Sequence, residues 1–201
     1  MGRLELCLIK PSKRDEGSWY DSPCEELMEF FEVVRARRSI RKFAPRAVPE
    51  EQIRELLMAA NLAPSAGNLQ AYEVHLVREP ALRRRLDVAT GNQGAIAQAP
   101  VVLVFCASPH RSAAKYGAKG EQLFCLQDAT IACAYAQLAA TALGLASVWI
   151  GAVQEPEVVK EVLRLDDGLW PVAFLPLGYP AESPVRKPRR ALSEFVRESS
   201  A

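Results

Sequence analysis

The apolar positions of this chain first recur with a helical period. Leu27, Phe30, Phe31 and Val34 stand three and four apart, which predicts a helix with these residues on its core face. Ser22, Pro23 and Glu25 supply the cap, the first-turn proline and the capping-box acid that would start it. The helix would run into Arg35–Arg38, where its dipole favours cations. A second stripe, Ile53, Leu56, Leu57 and Ala60, follows Pro49-Glu50-Glu51 and predicts a helix ending at Ala63-Pro64, because a residue before proline leaves the helical region. Further on, Tyr72–Val77, Val101–Cys106, Ser147–Val153 and Val172–Leu177 read as strands. The second of these is a continuous apolar run suited to the middle of a sheet. Ala81–Ala89 and Pro156–Leu163 read as short helices. From Glu121 to Leu143 the chain is alanine-rich, with charge only at Glu121 and Asp128, and predicts a long helix buried on most sides.

Helices and strands alternate from end to end without repeats, so the expectation is one α+β domain over 22–201, with a sheet of four or five strands wrapped by helices. Residues 1–21 are read as an N-terminal arm, polar with proline and glycine from 11 to 20. A length of 201 residues, 49% hydrophobic and 24% charged, suits one domain with a core large enough to need no disulfide or metal. The net charge of +1 argues against a general nucleic-acid binder. The apolar stretch Leu4–Ile9 is too short for a signal core or a membrane span, so no membrane partner is expected. Five cysteines, an odd number without Cys-x-x-Cys spacing, read as reduced thiols and a cytoplasmic location. Only His75 and His110 are available beside them, and no metal site is expected.

Candidate chemistry lies in three places. Five of the eight residues Arg35–Lys42 (RARRSIRK) are basic and surround one hydroxyl, Ser39. Pro64-Ser65-Ala66-Gly67-Asn68 offers a hydroxyl and backbone N–H groups in a tight turn. Arg186-Lys187-Pro188-Arg189-Arg190 is a third basic cluster near the other end of the chain. Guanidinium forks and an amide nest both suit a phosphorylated ligand. Each cluster alone is equally what a solvated charge run or an ordinary turn would look like.

Taken in order, these segments resemble the nitroreductase-like family of FMN-dependent oxidoreductases. The resemblance rests on Arg37-Arg38-Ser39-Ile40-Arg41-Lys42-Phe43, on Ala63–Gln70, on Gln93 before the apolar strand, on the helix from Asp128-Ala129 to Leu145, on Val148-Trp149-Ile150-Gly151, and on Leu177–Pro180 with Lys187-Pro188-Arg189. It implies a homodimer with FMN sites at its interface, and a hydride passed from NAD(P)H through flavin N5 to a nitroaromatic, quinone or enone by a ping-pong mechanism. The long, nearly uncharged helix makes a partner subunit plausible on its own account, since it needs more covering than one small domain readily offers. It can equally be a core helix of a single chain.

What the resemblance implies residue by residue is specific. Arg37, Arg38 and Ser39, with Lys187 and Arg189, would hold the flavin phosphate and ribityl chain. Arg41 would reach the pyrimidine edge of the ring. Pro64, Ser65, Ala66, Gly67 and Asn68 would come from the partner subunit, while Trp149, Ile150 and Gly151 would line the ring and Gln93 would touch its edge. Pro109–Phe124 would cover the open face, with His110, Tyr116, Lys119 and Phe124 as acceptor contacts. No protein acid, base or nucleophile is expected to be catalytic, because the flavin carries the reaction. A non-enzymatic FMN-binding or regulatory protein, and a relative with specialised flavin chemistry such as dehalogenation or flavin fragmentation, stay open as alternatives.

Overall fold

The computed structural model of the chain describes residues 28–91 and 93–199. Four strands form one sheet in the order β1-β2-β4-β3, with every neighbouring pair antiparallel. These are β1 (Tyr72–Val77), β2 (Val101–Ala107), β3 (Ala146–Ser147) and β4 (Trp170–Gly178). Between and around them lie α1 (Phe30–Ala36), α2 (Glu50–Asn61), α3 (Pro80–Ala89), α4 (Ala95–Gln98), α5 (Pro109–Lys119), α6 (Cys125–Ala142), α7 (Pro156–Leu163) and α8 (Leu192–Phe195). The fold is α+β, as the pattern of elements implies.

β2 is buried at every residue because both faces of the sheet are covered. On one face Val102, Val104 and Cys106 join Leu86, Ile96 and Phe174. On the other, Val101, Leu103 and Phe105 pack with Leu56 of α2 and with Ala132, Ala136 and Ala140 of α6. The alanines let α6 lie close to the sheet, and this second layer accounts for the helix's lack of charge. Two buried groups tie down loops around the first layer. Asp87 accepts hydrogen bonds from the backbone N–H groups of Gly94 (3.0 Å) and Ile96 (3.1 Å) and so starts α4. The Arg83 guanidinium donates to the carbonyls of Ala97 and Ala99, and burial pushes its pKa below the ordinary arginine value.

Three expectations change. Phe30, Phe31 and Val34 are not core, being 62%, 69% and 47% exposed, and Val33 is the residue of α1 that turns inward. Periodicity identifies an apolar face but not whether the chain's own core covers it. The strand predicted from Ser147 to Val153 shrinks to Ala146–Ser147 plus a single bridge at Ile150, because the segment leaves the sheet after Val148. The long helix begins at Cys125 rather than Glu121. It is preceded by one π turn, Gly120–Phe124, and by α5, so Pro109–Phe124, for which the sequence suggested no element, is helical. The arm and the Ser22 cap lie outside the described residues.

Candidate functional site

The chain carries two sets of site residues, and its own fold keeps them apart. The first gathers where α1 ends. Ser39 bridges Ser147 of β3, and Ile40 N–H donates to the Ser147 carbonyl at 3.0 Å, so the basic segment runs along the sheet edge. Arg38 folds back to donate to the carbonyls of Arg35, Ala36 (3.1 Å) and Arg37 (2.8 Å), closing the C-terminus of α1. Arg37 is the cation left facing the cluster. Burial lowers its pKa first, and the nearby charges of Arg189 and then Arg38 lower it further. The C-terminal segment therefore returns to the first basic cluster, as the family resemblance implied. Among the described residues no carboxylate forms an ion pair with Arg37, Arg38 or Arg189, although other surface cations find one, as Arg78 does with Glu50 and Arg85 with Glu161. Cations held together without a counter-charge fit a phosphate dianion. The structure gives Lys187 an exposed position in the same returning segment and no side-chain partner among the described residues.

Arg41 is exposed, and its position is fixed through its backbone. Its N–H donates to Glu182 Oε1 at 2.6 Å, and the next amide, Lys42, does so at 3.2 Å. These bonds, the Arg41 amide foremost, hold the Glu182 carboxyl below the usual carboxylate value. Trp149, Ile150 and Gly151 follow Ser147 along β4. Ile150 is buried and exchanges backbone hydrogen bonds with Phe174 at 2.9 and 2.8 Å. Trp149 is partly buried against the α6 layer, so the core accounts for some of its surface. Gly151 is exposed. Gln93 is also exposed, between Gly91 and Gly94, both of which take positive φ.

The second set lies at the N-terminal end of α6. Asp128, 2% exposed, accepts the Ala66 N–H at 2.9 Å on one carboxylate oxygen and the Ala71 N–H at 3.2 Å on the other. It therefore clamps both ends of the Pro64–Gln70 turn. Inside the turn Ser65 Oγ accepts the Gln70 N–H at 3.0 Å. Gly67, Asn68 and Gln70 all take left-handed φ, at 56°, 57° and 48°. Left-handed backbone in a non-glycine residue is uncommon and gathers at ligand-binding turns. A Cβ on Gly67 would sit 2.5 Å from the Tyr116 hydroxyl oxygen and 2.6 Å from Lys115 Nζ, so α5 leans directly on the turn. Tyr116 and Phe124 pack edge to face with centroids 5.1 Å apart. Beside them a cleft of about 500 Å³ is lined by Pro64, Ser65, Ala66, Phe124, Asp128 and Ile131. It is concave and mostly apolar with a few polar groups, as small-molecule sites are.

The separation follows from the topology. The first set borders Ser147, which pairs with Leu177 opposite Val101, at one end of β2. The second borders Ala71, whose carbonyl receives the Ser108 N–H at 2.8 Å just beyond Ala107, at the other end. Six residues of strand span about 20 Å, and Asp128 to Ala140 along α6 spans about 18 Å. The two candidate sets thus lie at opposite ends of the sheet. Sequence reasoning named Asp128 only as a charge in the long helix. Its isolation there was the available signal, since a lone acid in an uncharged, buried helix needs partners. Glu182 gave no signal, because its partners lie 141 and 140 positions away.

The model of the nitroreductase family matches residues 34–93 and 87–179. The FMN reductase [NAD(P)H] of Bacillus subtilis is 34% identical over 175 residues, covering 79% of this chain and 70% of that one. The oxygen-insensitive NADPH nitroreductase of Salmonella typhimurium is 33% identical over 174 residues, covering 84% and 72%. Among solved structures, the NADPH:FMN oxidoreductase of Vibrio harveyi complexed with NAD+ superposes with a TM-score of 0.78 at 29% identity, covering 86% of this chain and 77% of that one. The family match over most of the chain and the identity to these relatives show that the chain belongs to the nitroreductase family.

Proposed function

We propose that two copies of this chain pair so that the basic cluster of each meets the clamped turn of the other, making two FMN sites. The observation that carries this is the separation of the halves by about 20 Å along the sheet, together with the exposed apolar face of α1 beside α6. The chain is an NAD(P)H-dependent oxidoreductase with FMN as cofactor, and the proposal concerns how its residues serve that chemistry. Bound FMN would supply the redox centre, accepting a hydride from NAD(P)H and passing it on to a nitroaromatic, quinone or enone in a second, ping-pong half-reaction.

The protein's part is to bind, orient and exclude water. Arg37, Ser39, Lys187 and Arg189 hold the phosphate and ribityl chain by charge-assisted hydrogen bonds, with Arg38 close by and engaged on the end of α1. Arg41, set by Glu182, places a cation at the pyrimidine edge, where it favours negative charge gained on reduction. From the other copy, Pro64, Ser65, Ala66, Gly67 and Asn68 pack on the ring, held rigid by Asp128. Trp149, Ile150 and Gly151 cover its remaining side and Gln93 borders it. Tyr116 and Phe124 stand where the second reactant would stack. No side chain is required as acid, base or nucleophile.

Light scattering on the purified protein, with FMN titrated against it, tests the arrangement. The expected result is a mass near 44 kDa, twice the 22.1 kDa of one chain, with one FMN bound per chain. A monomer that binds FMN with undiminished affinity would overturn it.

A further inference from the structure

The three cations of α5 have no role in holding FMN as proposed above, and their placement points to another ligand. Arg111, Lys115 and Lys119 follow one another at four-residue spacing, and α5 contains no acidic residue. Among the described residues none of the three forms an ion pair. Each lies instead against the clamped turn or against the Phe124 ring beside the cleft. Arg111 donates to the Gln70 carbonyl at 3.2 Å. Lys115 Nζ lies 2.6 Å from where a Gly67 Cβ would be and 5.4 Å from the Tyr116 ring centroid. Lys119 lies 5.4 Å from the centroid of Phe124, the ring that lines the cleft. A kink at Gly117, with φ 55° and ψ −144°, interrupts the helix between Lys115 and Lys119. The Arg37–Arg189 cluster sits at the far end of β2, so the α5 cations are not its continuation.

We propose that Arg111, Lys115 and Lys119 bind the phosphates of the reducing nucleotide at the mouth of the cleft, and that they favour NADPH over NADH through its extra 2′-phosphate. The inference rests on the oxidoreductase reading of the cleft. Its chemistry is that of a mostly apolar recess with the Phe124 ring on its wall, flanked by two ammonium groups and one guanidinium for the phosphates that trail from a bound ring. Exposed cations of this kind act as point charges in water, so the preference should be graded and weakened by salt.

The test uses the FMN-loaded protein and a double variant, Lys115→Ala with Lys119→Ala, with Lys119→Glu alone as a milder second variant. Isothermal titration compares 2′,5′-ADP with 5′-AMP, which differ by the phosphate in question, and steady-state rates give kcat/KM for NADPH and NADH. In the unaltered protein 2′,5′-ADP should bind at least tenfold tighter than 5′-AMP. In the double variant that ratio, and the ratio of kcat/KM for NADPH to NADH, should each fall about tenfold, which is ~1.4 kcal/mol. The Lys119→Glu change should lower both ratios in the same direction. Equal binding of the two nucleotides by the unaltered protein, or ratios that do not move in either variant, would overturn the assignment while leaving FMN binding and NADH oxidation intact. Failure to take up FMN or to oxidise either nucleotide would instead refute the underlying oxidoreductase reading.

Discussion

Asp128 is the residue on which the clamped turn depends, and replacing it gives a prediction of definite size. Its carboxylate accepts two backbone N–H groups, from Ala66 at 2.9 Å and from the fully buried Ala71 at 3.2 Å. A hydrogen bond to a charged group contributes about 1.5–3 kcal/mol, and a buried donor left without a partner costs its desolvation as well. Asp128→Ala should therefore destabilise the fold by about 3–5 kcal/mol, and melting should fall by roughly 10 °C for a domain of this length. Asp128→Asn keeps one acceptor oxygen and turns an amide toward the other N–H, so its loss should be about half as large. The phenol of Tyr72 supplies a second readout. Its pKa is raised above the ordinary tyrosine value first by burial and then by the Asp128 charge. In Asp128→Asn, ultraviolet titration should show Tyr72 ionising at lower pH than in the unaltered protein, with Tyr72→Phe identifying its signal. It should still ionise above the ordinary value, since burial, the larger cause, remains. Melting within 2 °C of the unaltered protein together with an unmoved Tyr72 would refute the clamp.

Three further outcomes follow from the same geometry. Arg37→Ala and Arg189→Ala should each weaken FMN retention on gel filtration at least tenfold, and inorganic phosphate should raise the melting temperature of the FMN-free protein less in either variant than in the unaltered one; equal retention in both would remove them from the phosphate site. Gly120→Ala should destabilise by about 3 kcal/mol, the upper range for overpacking, because its Cβ would fall 2.5 Å from the Ser112 carbonyl oxygen, which as backbone has little room to shift; urea unfolding with an unchanged midpoint would contradict that. Burial pushes the Cys106 thiol up from 9.0 to about 12, so the unfolded chain loses this proton first and stability should fall with rising pH between those values, by about 1.4 kcal/mol per unit. Denaturant unfolding should show a shallower alkaline slope in Cys106→Ala, and an identical slope would show that the thiol is not buried in solution.

Most of the fold was legible because its signals are local. β1 matches its prediction residue for residue, and β2 differs only at Ala107, since apolar runs between turn residues leave few other readings. Segments whose surroundings decide their structure were not. Val148–Gly151 has strand composition but leaves the sheet, because β4 offers it one further bridge at Phe174 and no continuous partner. Gly120–Phe124 becomes a π turn since the close approach of Gly120 to Ser112 involves a neighbour eight residues back, which no period records. Of the candidate site residues, the basic and turn segments were found by their composition. The carboxylates that set them, Asp128 and Glu182, were not, since each acts through backbone amides and such contacts leave no motif. Phe30, Phe31 and Val34 illustrate the same limit from the other side, since their apolar period is real but the chain's own core leaves them exposed.

The central claim is that the paired chains hold FMN where NAD(P)H can reduce it. It is tested most directly by recording the visible spectrum of the purified protein under anaerobic conditions and then adding NADPH or NADH. Flavin absorbance that bleaches within the mixing time and returns when a quinone or nitroaromatic acceptor is added is the predicted result. A colourless protein that takes up no added FMN, or a bound flavin that neither nucleotide bleaches, would contradict it.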